Sequence, residues 1–149
     1  MKRTVICVLA FAAGIGAAGA VESSVSMASS KSPADVVKMI GDFCAVAKWH
    51  PAVEKCVMSG AKQRTLSLKG GGEIVETLDA QDATGYSYSM VSSPLPVANY
   101  HSTISVTADP KGSMIKWTGK YDAKGAPDAD AKKIIDGIYE AGEKALAGG

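Results

Sequence analysis

Arg64-Thr65-Leu66-Ser67-Leu68-Lys69-Gly70-Gly71-Gly72-Glu73-Ile74-Val75-Glu76-Thr77-Leu78 is the stretch that decides how the rest of the chain is read. Two short runs of alternating residues flank three glycines, the pattern of two strands joined by a hairpin turn. Alternate side chains of a strand point the same way, so Leu66, Leu68, Ile74 and Leu78 form one apolar face, which Ile104 and Val106 extend in a later run. Arg64, Glu76 and Tyr100 share that parity, yet each carries a polar or ionisable group. Burying an unpaired polar group costs about 2–7 kcal/mol, and a charge costs more. These three side chains are therefore expected to pair with one another or to line a cavity.

Working outward, strand signals recur over residues 53–58, 64–69, 73–78, 85–92, 99–108 and 113–123, separated by turn residues such as Ser93-Pro94-Leu95-Pro96 and Asp109-Pro110-Lys111-Gly112. Connections this short favour an antiparallel meander over parallel crossovers. Residues 21–30 suit an opening edge strand. Ser32-Pro33-Ala34-Asp35 then starts a helix, with Ser32 as N-cap, Pro33 at the first position and Asp35 reaching back. Val36, Val37, Ile40 and Phe43 give that helix its buried side, and residues 45–51 allow only one further turn of helix. Residues 127–146 form the longest helix, with Ile134, Ile135, Ile138, Tyr139 and Leu146 at helical spacing. Gly137 and Gly142 inside it cost about 1 kcal/mol each relative to Ala, which points to close packing or to room for a ligand. Such a helix buries its stripe against the concave side of a curved sheet, giving an α+β domain.

The first twenty residues have the marks of a cleaved leader: Lys2 and Arg3, an apolar run over 5–15, then Ala18-Gly19-Ala20. Residues 21–149 remain as one domain. The 16 Lys and Arg against 15 Asp and Glu leave no basic footprint for nucleic acid, and no later segment suits a membrane. Cys44 and Cys56 are an even pair in a chain expected outside the cytoplasm, either as a disulfide or as two free thiols. Neither has His or Cys neighbours at metal-ligand spacing, so no metal is expected. Gly70-Gly71-Gly72 lacks the Lys-Ser/Thr and the helix of a phosphate loop, no Ser stands in a nucleophile elbow, and no cofactor is expected.

A family resemblance enters on the run Asp42-Phe43-Cys44 and Trp49-His50-Pro51-Ala52-Val53-Glu54-Lys55-Cys56, together with Arg64-Thr65-Leu66, Gly71-Gly72, Glu76-Thr77-Leu78, Ser87-Tyr88 and Asn99-Tyr100-His101-Ser102-Thr103. These residues resemble the polyketide cyclase/dehydrase branch of the SRPBCC (START-like, helix-grip) superfamily, and within it the exported MxaD-like proteins associated with methanol oxidation. The resemblance implies a seven-stranded curved antiparallel sheet wrapped around the C-terminal helix, two short helices after the first strand, and an apolar cavity between sheet and helix. It also implies a lipid, sterol, polyketide or similar ligand, or in a minority of members a cyclase, dehydratase or isomerase activity. The lachrymatory-factor-synthase group of the same branch is similar at an Arg, a Glu and a Tyr that fall on Arg64, Glu76 and Tyr100.

From the residues and the resemblance together, the expected catalytic set is Arg64, Glu76 and Tyr100, with Glu76 as base and Arg64 holding an anionic or carbonyl group of the ligand. The expected ligand-binding set adds Trp49 as a lid, Tyr88, Met90 and Ile138. Both histidines, His50 and His101, are expected at the surface, and Trp117 in the core. The functional expectation is a periplasmic or secreted carrier of a small apolar or amphipathic molecule. Its rivals are a lyase or isomerase using Glu76, and an accessory protein of a periplasmic dehydrogenase.

Overall fold

The structure, a computed structural model, describes residues 20–148, so the leader expected at 1–20 lies outside the described residues except for Ala20. The described chain runs β1 (Val21–Ser29), α1 (Pro33–Ile40), α2 (Val46–Trp49), β2 (Val53–Ser59), β3 (Gln63–Leu68), β4 (Glu73–Asp82), β5 (Gly85–Ser92), β6 (Val97–Asp109), β7 (Gly112–Ala123) and α3 (Asp128–Gly148). All seven strands form one antiparallel sheet in the order β1-β7-β6-β5-β4-β3-β2. This is the helix-grip arrangement expected from the sequence.

Local chemistry explains the elements. Ser32 caps α1 by accepting a hydrogen bond from the Asp35 N–H at 3.2 Å, and its own hydroxyl donates to the Asp35 carboxylate at 2.7 Å. Gly41 ends the helix with φ 65°, a left-handed conformation that glycine adopts without steric cost. Phe43 therefore lies beyond the helix rather than on its buried side, although it is buried all the same. Gly71 and Gly72, at φ 91° and 93°, make the turn between β3 and β4 as a hairpin. The strand β4 runs four residues past Leu78, with a register shift between Leu78 and Ala80. That extension is polar and exposed, so it carries no apolar alternation to mark it.

The core lies between the concave face of the sheet and α3. Ala131, Ile135, Tyr139 and Leu146 of α3 are buried against Ile104, Ile115, Trp117 and Tyr121 of β6 and β7. Gly142 is one of the two interior glycines questioned above. A Cβ there would come within 2.6 Å of the Trp117 ring and 2.8 Å of the His50 ring, so its bare backbone is what lets the helix settle on those rings. Gly137 has open space around it and no packing role of this kind. Cys44 and Cys56 are joined as a disulfide, with Cα atoms 5.5 Å apart, which ties the α1–α2 connection to the edge strand β2.

Candidate functional site

A hollow of about 440 Å³ lies between the sheet, α2 and α3. Its walls are mainly aliphatic, from Val46, Val53, Leu66, Ile74, Leu95 and Ile135. Its lining includes the exposed Gly70 and Gly71 of the β3–β4 turn and Ile134 of α3, which is 41% exposed. Arg64, Glu76, Tyr88, Met90, Tyr100 and Ile138 all contribute to the lining. Trp49 does not: its indole N–H donates to the Ile40 carbonyl at 3.3 Å and its ring packs on Trp117. It stands behind the wall rather than over the mouth, because α2 turns the ring toward α1 and α3.

Arg64 and Glu76 are direct cross-strand partners on β3 and β4, and both are almost fully buried. The Arg64 Nε donates to Glu76 Oε2 at 2.7 Å, and Nη2 lies 2.6 Å from the same oxygen. Nη1 donates to the Phe43 carbonyl and, at 3.4 Å, to the Tyr86 hydroxyl. The guanidinium carbon also sits 3.8 Å from the centre of the Phe43 ring, a favourable cation–π placement. Arg64 is thus committed to the protein and holds Glu76 in place. This positioning role stands beside the sequence-based expectation that Arg64 grips a ligand anion. Oε1 of Glu76, by contrast, receives no hydrogen bond from the described residues and is not sealed into the core, Glu76 being part of the lining of the hollow. Burial pushes the Glu76 carboxyl above the usual carboxylate range, against the opposing pull of Arg64.

A second polar group, made of hydroxyls, adjoins this pair. Ser102 Oγ donates to the Thr118 carbonyl at 2.7 Å, so it must accept from both of its other partners, the Tyr139 hydroxyl at 3.0 Å and the Trp117 N–H at 2.9 Å. Tyr139 then accepts from Tyr100. Tyr100 in turn is left to accept from Tyr88, across a long 3.4 Å. The chain has one direction, from Tyr88 through Tyr100 and Tyr139 to Ser102. The Tyr88 hydrogen is loosely held at its open end. Burial pushes Tyr88, Tyr100 and Tyr139 well above the ordinary phenol range, so all three remain hydrogen-bond donors rather than phenolates.

Tyr139 and Ser102 are the residues that sequence reasoning missed. Tyr139 reads as one more member of an apolar helix stripe, and its hydroxyl was the available clue. Its ring stacks on Trp117 at 4.7 Å and 9°, and its hydroxyl reaches the sheet only because position 119 is glycine. A Cβ at Gly119 would fall 2.1 Å from that oxygen. Tyr100 reaches the same centre because Asn99, at φ 50°, sits in an irregularity of the β6–β7 pairing between Ala98 and His101.

The two histidines differ. His101 is exposed, as the parity of β6 requires, and touches Ser89 at 2.7 Å. His50 is only 5% exposed and lines the hollow, which corrects its expected surface position. Its Nδ1 accepts from the Ala52 N–H at 3.1 Å, so the proton sits on Nε2, which donates to the Ile138 carbonyl at 3.0 Å. Burial lowers its pKa below 6.5, the Ile138 bond opposing and Arg64 adding to the effect. His50 fastens the start of β2 to α3. Among the described residues no group of three or more His, Cys, Asp or Glu side chains could hold a metal, and no helix is long and apolar enough to cross a membrane.

Comparison with known proteins agrees with this architecture. The protein XoxI from Bacillus cereus is similar in structure with a TM-score of 0.82 and 31% identity, over 85% of this chain and 93% of that one. An uncharacterized protein from Bacillus thuringiensis matches at 0.81 and 30% identity, over 85% and 96% of the two chains. A START superfamily protein from Mycobacterium smegmatis, at 0.69 and 16% identity over 87% and 95%, shares the fold. No curated protein matches the sequence. The family model described as polyketide cyclase/dehydrase and lipid transport matches residues 20–148, and the chain, with its curved seven-stranded sheet closed on a C-terminal helix, belongs to that family.

Proposed function

We propose that this protein is an exported carrier that takes one small, largely apolar molecule into the hollow between sheet and α3. The observation that carries the reading is the contrast between aliphatic walls and a buried polar end where Glu76 Oε1 has no protein partner. A carboxylate oxygen on the wall of an aliphatic hollow, with no protein donor, needs water or a ligand to satisfy it. In a binding cavity it is the point at which a ligand is oriented. The volume of about 440 Å³ is in the range of small-molecule sites. Export and a single domain over residues 21–149 are part of the proposal, supported by the leader pattern of residues 1–20 and by the Cys44–Cys56 disulfide, a bond rare in reducing compartments.

Native mass spectrometry of protein purified from its own source tests this. The expected spectrum shows a noncovalent adduct of one small molecule, lost on denaturation. An adduct-free protein that also fails to take up a neutral apolar probe would overturn the reading.

The family match favours a second reading, proton transfer by a cyclase, dehydratase or isomerase. Here the free oxygen of Glu76 takes a proton from a bound substrate, and Tyr88 donates to the oxygen that gains charge. Glu76→Gln separates the two: turnover is abolished under the enzymatic reading, whereas uptake persists under both. A dehydrogenase partner, implied by the MxaD-like resemblance, would appear as a stable complex in a pull-down from the same source.

A further inference from the structure

We infer that the ligand is a neutral molecule carrying a hydroxyl group at its buried end, donated to Glu76 Oε1 and accepting from the Tyr88 hydroxyl. The inference deepens the carrier reading and rests on it. Three features of the polar end lead to it.

The first is charge. Arg64 and Glu76 already neutralise each other at 2.6–2.7 Å, and His50 is buried as the neutral ring, its Nδ1 accepting from the Ala52 N–H and its Nε2 donating to the Ile138 carbonyl. An added carboxylate or ammonium would bring an unbalanced charge into an aliphatic hollow, at a cost no group there offsets. The cation nearest the mouth, Lys69, is exposed, so solvent screens it.

The second is the unpaired acceptor. Both Arg64 contacts converge on Oε2, and no described residue donates to Oε1 of Glu76, a residue that lines the hollow. A ketone, ether or hydrocarbon has no donor to give. The third is the direction of the hydroxyl chain. Ser102, Tyr139 and Tyr100 each have their hydrogen committed by the carbonyl of Thr118 at the far end. Only Tyr88, at 3.4 Å from its acceptor, can turn its hydrogen into the hollow at little cost. An acceptor and a donor on the lining of one hollow match a group that both donates and accepts, and a hydroxyl is the smallest neutral group that does so.

Displacement of the neutral fluorescent probe N-phenyl-1-naphthylamine by three compounds of one shape tests this: 2-naphthol, 2-methoxynaphthalene and 2-naphthoate. The expected result is displacement by 2-naphthol at about tenfold lower concentration than by either other compound, equivalent to about 1.4 kcal/mol. Equal or better displacement by the ether or the carboxylate would overturn the inference and leave the carrier reading standing. Failure of the probe to bind would overturn both. In Tyr88→Phe the ratio of naphthol to ether should persist while both weaken, and in Glu76→Gln it should collapse to about twofold or less. The wild-type ratios decide the matter by themselves if Glu76→Gln does not fold.

Discussion

Arg64 and Glu76 face each other across β3 and β4 and meet through a single oxygen, Oε2, within 2.7 Å of both Nε and Nη2. A pair selected for stability alone would use both carboxylate oxygens, since the bidentate geometry is the stronger one. The spare oxygen ties the pair to the hollow and sets the expectations that follow.

Breaking the pair should be far worse than removing it. Arg64→Met leaves the Glu76 carboxylate buried without a partner and is expected to cost about 3–5 kcal/mol, whereas Arg64→Met with Glu76→Leu should recover most of that loss. Denaturant unfolding of the three proteins checks this. A double variant as unstable as the single one would show that the pair itself holds the sheet together.

Glu143 of α3 is fully buried, and neither of its oxygens has a hydrogen-bond partner among the described residues. Burial raises its carboxyl from 4.5 to about 7. Between those values the native chain keeps a proton that the unfolded chain has released, so stability should fall as pH rises from about 4.5 to 7 and then level off. The loss is at most about 3 kcal/mol, less where solvent screens the group. Glu143→Gln should flatten that part of a stability–pH profile, and an unchanged profile would contradict the assignment.

His50 should act in the opposite sense. Its pKa is lowered from 6.5, so the stability it contributes is present above that pH and is lost as pH falls through its native value. Protonation places a hydrogen on Nδ1, where the Ala52 N–H now points. Hydrogen exchange should therefore show the Ala52 amide losing protection below pH 6.5, an effect absent in His50→Gln. Protection unchanged while the His50 ring itself is seen to take up its proton would contradict it.

Reduction of the Cys44–Cys56 bond opens a short loop and should cost about 2–3 kcal/mol, seen as a fall in Tm on the order of 10 °C. The loop it closes carries Trp49 and His50, so ligand uptake should weaken along with stability. A Tm insensitive to reductant would show that the bond contributes nothing.

Much of this was legible in the sequence. The parity of Arg64, Glu76 and Tyr100 against Leu66, Ile74 and Ile104 located the buried polar end, because period-two alternation depends only on chain geometry. The turn glycines and the Ser32 cap fixed the element boundaries nearby. Direction and partner choice were not legible. Nothing in the string tells that Arg64 spends its donors on Phe43 and Tyr86, or that His50 turns inward to the Ile138 carbonyl, since both depend on how α1, α2 and α3 dock on the sheet. Tyr139 stayed hidden for the same reason. Its role requires Gly119, 20 positions away in sequence, to leave room for a hydroxyl.

Filling the hollow tests the central claim most directly. Ile138 lines it from α3 and is only partly buried, so Ile138→Trp should occupy the space without unfolding the chain. Titration with N-phenyl-1-naphthylamine should give a saturable single-site fluorescence rise for the wild type and at least about tenfold weaker uptake for a folded Ile138→Trp. Equal uptake by both proteins, or none by the wild type, would contradict the account.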